Sequence, residues 1–104
     1  MTLVGQSRAL NVPFVVSASR PALVSYRLLL DAPVDERASV QLISGTPPGH
    51  TILADFERLS PDAASSVSVT VVALVFPGQS IELSTANTAG GAGVFLEGVR
   101  EILL

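Results

Sequence analysis

The sequence predicts an all-β domain, a single jelly roll or β-sandwich of about seven to nine short strands. Three observations carry this. Apolar and polar residues alternate with period two along much of the chain, and helical spacing is scarce. Proline and glycine clusters cut the alternating runs at short intervals.

The elements come in order. Val12–Ser17 (VPFVVS) is β-branched and short, and Pro13 confines it to a strand start or a sheet edge. Ala22–Asp31 places Ala22, Val24, Tyr26, Leu28 and Leu30 on one face and Leu23, Ser25, Arg27, Leu29 and Asp31 on the other. Ala32–Glu36 reads as a turn and Ser39–Ser44 as a strand. Gly45–His50 (GTPPGH) continues neither regular structure. In Thr51–Leu59, Ile52, Phe56 and Leu59 have helical spacing, while Ile52, Ala54 and Phe56 fit a strand face. Strand neighbours and the stop at Ser60–Pro61 favour the strand. Ser66–Phe76 is the longest strand. Pro77–Gln79 then turns the chain, with Pro77 pre-setting φ and Gly78 accepting positive φ, as a type II turn demands. Ser80–Thr85 returns with Ile81 and Leu83 inward. Ala86–Gly93 is a loop, and Val94–Glu97 and Val99–Leu104 close the chain as strands around Gly98.

The longest strand is unusual. Val67, Val69, Val71, Ala73 and Val75 share the face expected toward the core. The other face runs Ser66, Ser68, Thr70, Val72, Leu74, Phe76, changing from hydroxyl to hydrophobic halfway. A solvated face stays polar, so this half-face is expected to be covered by a subunit or by a loop of the same chain. The chain end poses the same question, with Ile102 and Leu104 opposite Leu103. An oligomer is the favoured expectation. Val72, Leu74, Phe76, Ile102 and Leu104 are the predicted subunit contact, joined by Arg100 between Glu97 and Glu101 as a ring of Arg–Glu contacts. An apolar amino-terminal segment, with Met1, Leu3 and Val4, is predicted to dock onto a larger partner.

Composition bounds the rest. Residues 1–104 make one domain, the first 11 serving as an extended docking arm. Apolar residues make up 48% of the chain, which excludes disorder from lack of hydrophobicity and leaves apolar surface to face another chain. Without cysteine there is no disulfide framework, thiolate metal site or thiol nucleophile. No basic segment followed by a long apolar run marks a secretory signal, and Val71–Phe76 is far too short for a membrane helix. A protein made in the cytoplasm, without membrane association, is expected. All 6 basic residues are arginine, scattered singly at Arg8, Arg20, Arg27, Arg37, Arg58 and Arg100. A phosphate-tracking surface needs clustered charge, so nucleic acid is not an expected partner.

Arg8–Leu30 (RALNVPFVVSASRPALVSYRLLL) resembles the opening of a family of small proteins of tailed bacteriophages and prophages. Its members read Arg-x-Leu-Asn, then an aromatic, Ser-x-(Ser/Thr)-Arg-Pro and a Val-Ser-Tyr strand. Arg8, Leu10, Asn11, Phe14, Ser17, Arg20, Pro21, Val24, Ser25 and Tyr26 match. The ending is similar too. Phe76–Gly78 fits the family's turn, Ile81–Ser84 the strand, Thr85–Gly93 the glycine- and threonine-rich loop, and Gly98–Leu104 the close Gly-x-(Gln/Arg)-Glu-x-Leu-Leu. Gln79 and Ser80 depart from it, standing where members often carry an aromatic. The resemblance implies a trimeric jelly roll of the tumour-necrosis-factor-like type, seated on a virion as capsid cement, head fibre or tail appendage. No coiled coil or collagen-like repeat precedes the domain, which favours a compact protein on the shell over a fibre tip.

Chemistry-bearing residues are few. His50 is the only histidine, and no nucleophile-elbow motif surrounds any serine. Asp55 and Glu57 fall on one strand face, where a solvated surface explains them. Asp31, Asp35 and Glu36 flank a turn, and turn chemistry accounts for aspartate there. The TAGGAG loop lacks the lysine of a phosphate loop. Arg20, Arg27 and Arg100 read as interface residues. The expectation is a non-enzymatic virion protein without cofactor or metal, most simply a homotrimeric capsid cement bound to the major capsid protein or another virion protein. The alternative is a receptor- or glycan-binding module at the tip of a phage head or tail fibre, using Thr46–His50 and Ala86–Gly93.

Overall fold

Period-two alternation is converted into eight strands: β1 (Thr2–Val4), β2 (Phe14–Val15), β3 (Ala22–Ala32), β4 (Glu36–Ser44), β5 (Thr51–Ser60), β6 (Ser65–Val75), β7 (Ser80–Asn87) and β8 (Gly93–Leu103). The structure, a computed structural model, describes residues 2–4, 8–32, 36–45, 49–60, 65–87 and 93–104. The strands form two four-stranded sheets, in the orders β1-β8-β3-β6 and β2-β7-β4-β5. Every neighbouring pair is antiparallel. The chain changes sheet at each connection except the β4–β5 hairpin. This is the strand order of an eight-stranded jelly roll, two Greek keys folded face to face.

The core lies between the sheets. Ala22, Val24, Tyr26, Leu28 and Leu30 of β3 are buried as their alternation requires, against Ala38, Val40 and Leu42 of β4 and Ile81 and Leu83 of β7. Val71 and Val75 of β6 and Val94 of β8 complete it, with Val69 and Ala73 packed at its margin. Val67, expected on the same face, is exposed on the edge strand although it pairs with buried Leu30. Fully burying one such aliphatic side chain contributes about 1.5–3 kcal/mol, so these contacts are the main stabilising term.

The structure redraws several elements. The segment Val12–Ser17 pairs only at Phe14 and Val15, along Ile81 and Ser80, directly after Pro13. The two closing strands expected around Gly98 are one strand. Arg27 pairs with Gly98 and Leu28 with Leu96, leaving Glu97 as an extra residue in a β-bulge. A second bulge interrupts β5. Leu42 pairs with Ala54 and Ile43 with Ile52, so Leu53 is the extra residue. Ala54 and Phe56 pack inward as expected, but the bulge turns Ile52 off their face and leaves it exposed. Thr2–Val4, expected within an extended arm, is instead an edge strand paired with Glu101–Leu103.

The turn after β6 is the one its sequence predicts. Gly78 has φ 75° and Gln79 N–H donates to the Phe76 carbonyl at 3.1 Å. Gln79 also has a structural task. Its Oε1 accepts from Phe76 N–H at 2.8 Å and its Nε2 donates to Ser44 Oγ at 3.0 Å, tying the two sheets at one end.

Candidate functional site

The outward residues of β3 divide the outer face of the β1-β8-β3-β6 sheet into rows. Leu23 stands between Leu74 and Ile102, and Ile102 is opposite Leu3. The next row is Val72–Ser25–Arg100, followed by Thr70–Arg27–Gly98 and then Ser68–Leu29–Phe95. The face is therefore graded along its strands, aliphatic at one end and carrying hydroxyls and arginines toward the middle. Val72, Leu74 and Phe76 are 58%, 50% and 64% exposed, and Leu23 and Leu104 are exposed beside them. Ile102 is half-buried and Arg100 exposed. The residues singled out as an interface thus lie at one end of one face, and no described loop covers them. Of the three docking residues, Met1 lies outside the described residues. Leu3 and Val4 have their backbone committed to β8.

Between the second and third rows is a shallow depression of about 340 Å³, lined by Ser25, Arg27, Thr70, Gly98, Val99 and Arg100. Gly98 puts no side chain opposite Arg27, which leaves the floor bare. A Cβ there would meet Arg27 Cβ at an ordinary 3.7 Å. Arg27 Nε lies 4.0 Å from Glu97 Oε1 with both side chains substantially exposed, a pair worth little in water. Ser68 Oγ donates to the same oxygen at 3.2 Å.

Beneath this face lies a polar network that sequence reasoning missed. Glu101, expected beside Arg100 in an exposed ring, is fully buried. Successive residues of a strand point to opposite faces, so with Arg100 and Ile102 outward Glu101 must point into the core. There Arg8 grips it bidentately, Nε donating to Oε2 at 2.9 Å and Nη2 to Oε1 at 2.8 Å. The Tyr26 hydroxyl donates to Oε2 at 2.6 Å. The Arg8 guanidinium sits 4.4 Å over the Phe14 ring, which meets Tyr26 edge-on at 6.0 Å. Burial first, and then the bond to Glu101, pushes the Tyr26 phenol far above its ordinary range. The bond to Glu101 raises Arg8 further, against the opposing effect of burial. Both therefore keep the protons they donate, and neither is a base. The available signal is the parity of β8, which puts a lone carboxylate among Val99 and Leu103 and so demands a buried donor.

Asn11, Ser17 and Arg20 also make bonds within the fold. Asn11, at φ 61°, donates its N–H to Leu83 O and exchanges side-chain bonds of 2.9 Å with Thr85. Ser17 Oγ accepts from Ser19 and Arg20 N–H at 3.3 and 3.1 Å. Arg20, expected at an interface, donates from Nε to Leu104 O at 2.7 Å.

His50 is half-buried, and its Nδ1 has no hydrogen-bond partner among the described residues. Asp55 and Glu57 stand exposed opposite Gln41 and Ser39 on the other sheet. No group of three or more His, Asp or Glu among the described residues is placed to hold a metal ion. Asp35 and most of the loops Thr46–His50 and Ala86–Gly93 lie outside the described residues.

Two outcomes are expected. Arg8→Met leaves Glu101 buried without its cation and lowers unfolding free energy by about 3–5 kcal/mol in denaturant titration. Tyr26 is the chain's single tyrosine, so phenolate absorbance reports on it alone. Its folded pKa is raised, so its stabilisation is complete below the unfolded value of about 10 and is lost as pH rises beyond it. Phenolate is expected to appear only together with alkaline unfolding. Titration near pH 10 in the folded protein would contradict the burial.

Comparison with known protein families, with curated proteins and with solved structures finds no match to this chain.

Proposed function

We propose that this chain is a non-enzymatic structural protein of a tailed-bacteriophage virion, a homotrimer that acts as a capsid cement. The observation that carries association is the apolar end of the outer face, where Leu23, Val72, Leu74 and Phe76 are exposed together and no described loop covers them. An antiparallel sheet with one solvated face alternates cleanly, and this face does not.

The virion reading rests on the resemblance at Arg8–Tyr26 and Gly98–Leu104. A cement protein binds the assembled shell, through the major capsid protein or another virion protein, and stabilises it in proportion to occupancy. Assembly by surface complementarity needs no reactive group.

Light scattering on a sizing column tests the association. The natural chain is expected at three times 10.8 kDa, and Leu74→Glu, at an exposed position, is expected to give a folded monomer. A monomer in both cases would overturn the interface. Virions assembled without the protein are expected to lose infectivity faster on heating, and equal survival would overturn the cement role.

A further inference from the structure

We propose that the depression between Arg27 and Arg100 is a carboxylate site filled by Glu97 of a second copy of this chain. This rests on reading the outer face as a subunit interface, and it names the polar contact that such an interface requires.

Arg100 shares a row with Val72 and lies two residues from Ile102 on β8. A contact that covers those two covers Arg100. A guanidinium taken out of water needs an acceptor, because an unpaired buried charge is costly. Within its own chain the Arg100 side chain makes no ion pair or hydrogen bond to a described residue. Glu101, its neighbour in sequence, is turned inward to Arg8. A second copy can supply the acceptor that no described residue of the same chain provides. The depression suits a carboxylate, with two guanidinium groups, the hydroxyls of Ser25 and Thr70, and a bare floor at Gly98.

The same face supplies the occupant. Among the described residues it carries Arg27, Arg100, Asp31 and Glu97, so it is neutral as a whole and two copies do not repel. Asp31 stands opposite Ser66 and Gly93, at the far end of β3 from the aliphatic row. Glu97 borders the depression. The bulge sets it outward in succession with Gly98, and among the described residues it is held by the 4.0 Å approach of Arg27 and one serine hydroxyl. Exchange of that loose intrachain contact for two guanidinium groups of a neighbour strengthens both sides. Each copy offers one depression and one Glu97, so in the proposed homotrimer the contact repeats head to tail around the ring.

The test is a charge swap read as the dissociation constant of the assembled protein. Arg100→Glu and Glu97→Arg are each expected to raise it at least tenfold while leaving the monomer's melting unchanged. The double variant E97R/R100E is expected to return within about threefold of the natural chain. A mixture of the two single variants should assemble more tightly than either alone, which only a contact between chains explains. Gly98→Leu, filling the depression at a position where a Cβ fits, is expected to weaken assembly without unfolding.

If Leu74→Glu dissociates the protein but the charge variants leave its dissociation constant unchanged, the interface stands and this occupant is wrong. Additive loss in the double variant overturns it equally. Saturable acetate binding that Arg100→Glu abolishes, with assembly unaffected, assigns the depression to a free anion instead. A natural chain that is monomeric overturns both this contact and the interface it rests on.

Discussion

The bidentate bond between Arg8 and Glu101 ties residues 93 positions apart in the chain, and the candidate surface depends on it. An ionised carboxylate deep in a small core is costly unless its charge and lone pairs are both answered. Arg8 supplies the charge, and Tyr26 takes a further position on the carboxylate. With Glu101 held inward, strand alternation leaves Arg100 and Ile102 no choice but to face outward. The same pair anchors the segment leading into β2 against the strand that carries the candidate interface. Burial of one polar group inside thus fixes what is displayed outside.

The two sheets treat their outer faces differently. On the β2-β7-β4-β5 sheet, Ser84, Gln41 and Asp55 form one outward row, with Ser39 opposite Glu57 nearby. Those rows are an ordinary solvated surface, with the exposed Ile52 and Leu53 beyond them at one end of β5. The β1-β8-β3-β6 sheet instead sets Leu74, Leu23 and Ile102 in a row. In the assembly proposed above, apolar burial of these side chains and the Arg–Glu contacts divide the work of affinity and register.

Alternation makes β3, β4, β6 and β7 legible, including the inward face of β3 and the two-faced character of β6. Gly78 and Pro77 announce their turn through local backbone chemistry. What alternation cannot reveal is its own interruptions. The bulges at Leu53 and Glu97 add one residue each and change the parity of their strands beyond that point; Leu53 has no compositional mark, and Gly98 marks the other only as a break. Ile52 departs from its expected face for that reason. Adjacency in sequence to Arg100 suggests adjacency in space for Glu101, whereas a strand separates neighbours onto opposite faces. Its partner Arg8 is beyond the reach of sequence, since no local pattern links the two. The exposed site is largely visible as residues but not as a surface, because the depression at Gly98 exists only once β3, β6 and β8 are paired.

The central claim is that the outer face of one sheet, and not the other, is covered in the assembled protein. The chain has no cysteine, so single thiols placed at Val72 and at Asp55 report on the two faces separately. The most direct measurement is the rate of thiol labelling of each variant as protein concentration rises. The account predicts that the thiol at position 72 becomes protected as the protein assembles while the thiol at position 55 reacts at a constant rate. Equal rates at both positions across all concentrations would contradict it.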